Sequence, residues 1–540
     1  MLSLGTIDFV VIGIYFAIIL ILGVVIAIQE KRSGSSGEDY FVAGRSLGWV
    51  AIGASLFASN ISSEHLIGLS ADGFRTGLAV GNYEWFASVV LIILGAVFVP
   101  FYVGSKIQTL PEFLEKRFGS AARSYLSGVT MLANIFVRIS TALFAAGVVM
   151  ESMFGVNFWV SIVVLSVVTV AYTAIGGLKA VVYTDVLQTV ILLAGTILLS
   201  VIALDKVGGW DSLRAQLDDS MFTMIKPASD KEMPWTGLVI GVPILGIWYW
   251  CTDQVIAQRV LGARNIHQAR MGTMFAGFLK ILPVFLFVLP GLCGRVLFPE
   301  VEAKEIFPTL VMNLLPVGMK GLVAAALIAA LMSSIDSTLN STSALFSLDF
   351  YKKWFPASDE KRVVRVGQMV TLGVMIFGLL WVEVVRRQES LFQYLQAVNA
   401  AISPPIAAVF LFGVFSRRVN HKGAVSALMT GLGVGAFFIV YPILAKSIRA
   451  GGGEPLAMLN WVETLPFLLA AGVNFALSSF AMVTVSLATE PPTAKQIDGL
   501  TWASVEDIVT RLSTPGERLS FKVLACILGV CLISLWIKFS

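Results

Sequence analysis

The chain has 540 residues, 57% of them hydrophobic and 13% charged, with a net charge of +4. Soluble chains carry about 25% charged residues, so together with a mean hydropathy of +0.84 this composition excludes a soluble globular protein. No basic patch points to nucleic acid. Four cysteines (Cys251, Cys293, Cys526, Cys531) show neither metal-ligand spacing nor a disulfide framework.

The chain therefore reads as an all-α polytopic membrane protein. Runs of about 20 apolar residues predict about fourteen transmembrane helices. The first lies near 6–28; it lacks a basic leader and is followed by Glu30-Lys31-Arg32, so it reads as a membrane helix rather than a cleaved signal. Five more lie near 48–70, 80–103, 124–153, 157–177 and 182–204. Five follow near 236–258, 269–297, 307–350, 363–385 and 391–415, and three near 422–445, 460–487 and 520–538. Lys and Arg gather in Glu30–Arg45, Lys116-Arg117, Arg259–Arg270, Lys352–Arg365, Arg417-Arg418 and 488–522. The positive-inside rule puts these segments in the cytoplasm and both termini outside, with Arg386-Arg387 as a local exception.

Six ionisable residues fall within apolar runs: Glu84, Arg138, Asp185, Asp253, Lys280 and Asp336. Each costs about 2.5–3.5 kcal/mol on insertion scales, so they imply paired partners or a wet cavity. Asp253, near a helix end beside Arg259, reads as structural or gate-related. Arg138 reads either as a snorkelling residue or as part of such a cavity. Glu84 and Lys280, opposite charges that can hydrogen-bond hydroxyls, suit a polar uncharged solute such as a sugar or polyol.

Two segments depart from the apolar pattern. GASLFASNISSEHLIG, Gly53 to Gly68, carries a polar cluster from Ser59 to His65 inside an apolar span. Such a cluster either unwinds a helix at mid-membrane, where freed carbonyls can bind cations, or forms a short polar re-entrant loop at the surface. LIAALMSSIDSTLNST, Leu327 to Thr342, lines up Ala330, Ser333/Ser334, Ser337 and Asn340/Ser341 at helical spacing. That stripe is either a small-residue packing surface or a set of oxygens able to replace the water shell of a hard cation.

The words ASNISSEHLIGLSADG, NYEW, GGLKAVVYTDVLQT, WYWCTDQVIAQR, ALMSSIDSTLNSTSALFSLDFY, and FQYLQ followed by SPPIAAVFLFGVF resemble the sodium/glucose cotransporter branch of the sodium–solute symporter family. The likeness runs in order from about residue 6 to 445. It implies a five-plus-five inverted-repeat core whose first helix is discontinuous. The repeats would be 48–204 and 236–415, joined by an external loop at 205–235. The extra helix and linker, 1–47, and three peripheral helices in 416–540 with a cytoplasmic segment at 488–519 would lie outside the core.

By the same resemblance, a sodium ion would be held by backbone oxygens of Ala58, Ile61 and Ala330 and the hydroxyls of Ser333 and Ser334. Sugar contacts would fall on Asn60, His65, Glu84, Lys280 and Gln396, with Tyr249 and Trp250 as gate or stacking platform. A second sodium site would use Asp185, Asp336 and Ser337. Asp336 replaces a neutral residue, and either strengthens that site, binds a proton or pairs with Arg138. Gly246 and Ala87 stand where relatives carry hydroxyl or amide side chains, which leaves the sugar open. The implied activity is sodium-driven uptake of a glucose- or galactose-type hexose by alternating access, at a bacterial inner membrane. A myo-inositol-like polyol is the alternative substrate, and a cation channel a more remote reading. The implied partners are the sugar, sodium and the lipid bilayer, with no nucleic acid. An enzyme is not expected: of the three histidines, His267 and His421 fall in loops, leaving only His65 near a polar cluster.

Overall fold

The computed structural model describes residues 5–32, 41–61, 64–104, 107–230, 233–387, 391–450 and 459–540. Among these the fold is all-helical, and the only β-type pairings are isolated bridges at Leu47–Ala263 and Lys226–Pro234. Twelve helices among the described residues are long and apolar enough to cross a membrane.

The chain opens with α1 (Thr6–Arg32). The expected span near 48–70 is divided into α2 (Trp49–Asn60), a wide turn at Glu64–Gly68 and α3 (Leu69–Thr76). There follow α4 (Asn82–Ile93) and the short amphipathic α5 (Leu110–Phe118). The two helices expected near 157–177 and 182–204 are a single helical run, α6 (Phe158–Val207), started by the Asn157 side chain, which accepts the Trp159 and Val160 amides. Its apolar stretches are Phe158–Ala171 and Leu178–Val207, and only the second meets spanning length. Fifty residues in one straight helix would run about 75 Å, over twice the hydrocarbon thickness. Gly176-Gly177, between the two stretches, are where such a run can turn.

The second interrupted helix comprises α7 (Trp235–Gly246), an over-wide turn at Ile247–Thr252, and α8 (Gln254–Leu261) capped by Asp253. Pro243 removes one backbone donor from α7 just before this turn. The two interruptions stand at the heads of 48–204 and 236–415. Next come α9 (Ile266–Leu279), α10 (Met319–Ala344), α11 (Glu360–Arg386) and α12 (Leu391–Phe415). The last helix is α13 (Pro515–Lys538), begun by a Thr514/Glu517 capping box.

Burial separates core from periphery. The apolar window of Met319–Trp354 is 88% buried, against 28% for Thr6–Ile26 and 17% for Pro515–Lys538. The hydroxyl stripe of α10 thus sits at the centre of the bundle, away from lipid. Against it lies α2, which crosses α9 at close range. A Cβ on Gly53 would come within 2.8 Å of the Gly272 carbonyl oxygen, and one on Gly272 within 2.6 Å of Ile52. Two glycines at one crossing let the backbones approach, which brings the end of α2 to the end of α9.

Candidate functional site

The break in the first core helix is local and sharp. Ile61 still donates its amide to Phe57 O at 3.0 Å, but its φ/ψ of −70°/111° leave the helical region. Its carbonyl is released from the helical ladder and accepts the Ser334 hydroxyl of α10 at 3.3 Å. Ala58 and Ala330 are buried on the same two helices. Ser333 points elsewhere: its hydroxyl donates to Asp185 Oδ1 at 2.5 Å. Of the five proposed sodium ligands, the structure joins Ile61 to Ser334 and places Ser333 in the shell of a carboxylate.

That carboxylate is the hub of a second, fully buried cluster. Asp185 Oδ2 accepts Ser55 at 2.5 Å and Ser59 at 3.3 Å. Ser59 meets Ser337 at 3.0 Å, and Ser337 donates to Asp336 Oδ1 at 3.2 Å. Into this group reaches Arg259, with Nε donating to Ser55 at 3.2 Å, one terminal nitrogen donating to Ser337, and 3.7 Å between it and Asp185. Arg259 was expected to open a cytoplasmic loop, and here it is wholly buried. Helix α8 continues to Leu261 and surrounds it with Val255, Ile256, Val260 and Leu261, all buried. The apolar neighbours were visible in the sequence, but its carboxylate partner lies 74 positions away on α6.

The proposed sugar ligands converge on the other side of the break. Helix α9 stops at Leu279 because Pro283 cannot continue it, and a tight turn through Lys280–Leu282 turns the lysine inward. Lys280 Nζ donates to Asn60 Oδ1 at 2.5 Å and to the Glu84 carboxylate, while His65 Nε2 lies 3.3 Å from the other Glu84 oxygen. The Trp250 ring centre is 5.6 Å from Lys280 Nζ, and Tyr249 meets Trp250 edge-on at 5.2 Å. These side chains line a cavity of about 240 Å³ that also touches Ser59, Ser334, Thr338 and Asn399. Gly246 and Ala87 line it too, though a Cβ on Gly246 would press on Val90 at 2.9 Å. The Gln396 side chain lies outside the described residues; its neighbour Leu395 lines the cavity.

Arg138 enters the cavity wall from a wide turn at Asn134–Ile139. It forms an ion pair with Asp253 at 2.7 Å and lies over Trp248 and Tyr249 at 5.6 and 5.4 Å. Asp253 also caps α8 through the Val255 amide at 2.8 Å. One ion pair thus ties the aromatic wall to the second helix break. The cavity wall carries Glu84 paired with Lys280 and Arg138 held from behind by Asp253, beside a cluster of hydroxyls and a freed carbonyl. Such a site can bind a neutral polyhydroxylated molecule and a small cation side by side.

Proteins of known function share this plan. The Sodium:solute symporter family model matches residues 40–431. A sodium/glucose cotransporter 4 of Danio rerio is 38% identical over 93% of this chain and 81% of its own length. A sodium/myo-inositol cotransporter of Mus musculus is 36% identical over 96% and 78%. A sodium/mannose cotransporter of Bos taurus is 37% identical over 96% and 93%. Among solved structures, a substrate-bound, outward-open Na⁺-coupled sialic acid symporter superposes with a TM-score of 0.75. It shares 24% identity, and the match covers 91% of this chain and 99% of that one. The fold is that of the inverted-repeat, sodium-coupled transporters. This chain belongs to the sodium–solute symporter family, and sodium is its coupled ion.

Proposed function

We propose that this symporter couples inward sodium flow to uptake of a neutral hexose of the glucose or galactose type. The observation that carries the reading is the convergence of Asn60, His65, Glu84 and Lys280 with Trp250 on one cavity that abuts the Ser334–Ile61 contact. Buried donors and acceptors orient hydroxyls, and aromatic faces take the C–H side of a sugar ring. A cyclic polyol is the second reading, favoured by the likeness to sodium/myo-inositol cotransporters.

In the proposed cycle, sodium from outside binds the Ile61 carbonyl and the Ser334 hydroxyl, with Ala58, Ala330 and Ser333 completing the shell as the two helices tighten. This favours the outward-open form and presents Asn60 to the sugar, because Asn60 and Ile61 are consecutive. Closure near Tyr249, rearrangement of the core and release of both ligands inward complete the turnover. Sodium drives the cycle by binding the two forms unequally. The lysine-bearing loops face the cytoplasm, and the cell membrane, the inner one in a bacterium, is the proposed location, with both termini outside.

A second sodium is proposed at Asp185, Asp336 and Ser337. Asp185 lies against Arg259 and Asp336 accepts the Ser337 hydroxyl, so two carboxylates and a hydroxyl supply the oxygens that a second small cation would take. Uptake into proteoliposomes of labelled hexoses and polyols, with sodium or potassium outside and the voltage clamped, tests both proposals. Saturable, sodium-dependent accumulation supports symport, and a conductance without accumulation would show a channel. Two charges moved per sugar in the wild type and one in Asp336→Asn are expected; a ratio of one in both would remove the second site.

A further inference from the structure

The last helix, α13, lies beyond the family match at 40–431 and is mostly lipid-facing, yet its outer end enters the protein. Trp536 Nε1 donates to Asn82 Oδ1 at 2.9 Å. Asn82 is buried and opens α4, the helix that carries Glu84 two residues on. The Asn82 amide nitrogen donates in turn to Ala79 O at 3.0 Å and Met224 O at 2.7 Å, and Met224 returns its own amide to Phe539 O at 2.8 Å. The external loop, the start of α4 and the end of α13 thus form one closed hydrogen-bonded bracket.

Aromatic rings fill the bracket and reach the cavity wall. Trp536 packs on Trp85 at 6.1 Å and Phe86 at 5.2 Å; Phe539 packs on Trp85 at 6.2 Å and Trp210 at 5.9 Å. Trp85 is wholly buried, and its Nε1 donates to Ile281 O at 3.4 Å, the residue after Lys280. On a helix, Asn82, Trp85 and Phe86 share one face, while Glu84 points away from it. The bracket therefore grips the back of α4 while Glu84 meets Lys280 in front. It also holds, through Trp85, the turn from which Lys280 projects.

We propose that Trp536 is a positioning residue for the sugar site: through Asn82 and Trp85 it sets where Glu84 and Lys280 stand, and so sets sugar affinity. This rests on the sugar reading above. Its reach differs from that of a packing residue, because one hydrogen bond from a peripheral helix would move the affinity for a ligand it never touches.

The test uses the full-length protein in proteoliposomes, with sodium-dependent uptake of the hexose or polyol that the wild type accumulates, normalised to folded protein. Trp536→Phe keeps a ring and removes only the indole donor. It is expected to raise the KM for sugar about five-fold, equivalent to about 1 kcal/mol, with Vmax and the sodium concentration for half-maximal uptake unchanged. Asn82→Ala is expected to do the same, and the double variant to be no worse than either single, since both break one chain of contacts. An unchanged KM in Trp536→Phe would overturn the proposal, as would a fall in Vmax and thermal stability at constant KM, the mark of a purely structural part. If the wild type accumulates no sugar or polyol in response to sodium, the sugar reading fails instead, and the two failures are distinguishable.

Discussion

Asp185 receives three serine hydroxyls and faces the Arg259 guanidinium, and both charged groups are wholly buried. Removing one partner of such a buried pair costs about 3–5 kcal/mol, because the other charge is left uncompensated. Arg259→Gln should therefore lower the melting temperature markedly, and Asp185→Asn in the same chain should restore much of it; a thermal-shift assay of the singles and the double checks this. At the proposed principal cation position, Ser334→Ala removes one oxygen, and a loss of about 1.4 kcal/mol would raise the sodium requirement ten-fold. Sodium titration of uptake measures it, and an unchanged requirement would remove Ser334 from the site. The stripe placed both serines of the pair 333–334 among its small and hydroxyl side chains but left packing and cation binding both open. What the sequence did not disclose is their division of labour, one turned to a freed carbonyl and one to a carboxylate. Neighbouring residues on a helix face about 100° apart, so only the packing of α10 against α2 and α6 decides which meets which.

At the scale of elements, α5 was legible only as the basic pair Lys116-Arg117, and its role comes from tertiary contacts. It joins α8, α12 and the segment at Lys353. Arg117 is buried, donating to Gly413 O at 3.0 Å and Ser416 O at 2.8 Å at the end of α12, where cations suit the helix dipole. Gln254 of α8 accepts the Leu110 amide at 2.8 Å. Arg123, just after α5, binds Asp349 at 2.6 Å and also Glu115, which Lys353 meets at 3.1 Å. On the proposed orientation, in which this end faces the cytoplasm, Asp349→Asn should loosen the packing there. A cysteine placed on the cavity wall should then be labelled faster by a membrane-impermeant thiol reagent from the cytoplasmic side. Burial alone would raise the Glu115 pKa, but hydrogen bonds from Arg123 and Lys353 outweigh it and hold the carboxyl below the ordinary carboxylate range. Its contribution is thus present at neutral pH and lost as pH falls below about 4.3 through the lowered value. The melting-temperature gap between wild type and Glu115→Gln should be constant from pH 8 to pH 6 and close only in that acid range. The interrupted helices were easier to foresee: a polar cluster in an apolar span marks the first break. The second shows only as Pro243 and the WYWCTD segment, whose bulky rings hide it among apolar residues.

For the whole molecule, the composition already made the membrane setting plain, whereas the exact number of crossings did not follow from it. Hydropathy windows see length, not continuity, so a broken span and a run joined at Gly176-Gly177 both escape a simple count. Transport should be electrogenic. In the proposed substrate cavity Glu84 pairs with Lys280, and the proposed substrate is neutral, so each turnover would carry the charge of its sodium ions. One charge moved across about 100 mV supplies about 2.3 kcal/mol, or about fifty-fold accumulation, and two would square that ratio. Steady-state accumulation at set voltages measures the exponent directly.

The released carbonyl of Ile61 has one more consequence. In the proposed cycle the ion takes, where the helix stops, the part that an amide hydrogen takes elsewhere in a helix: it would be a removable rivet in the backbone itself. Sodium at a hundred times its dissociation constant should steady the folded form by about 2.7 kcal/mol. That gain should be concentrated at the seam between α2 and α10. Backbone amides flanking Ile61 should then exchange with deuterium more slowly in sodium than in potassium, so exchange at one seam would read ion occupancy without any substrate present.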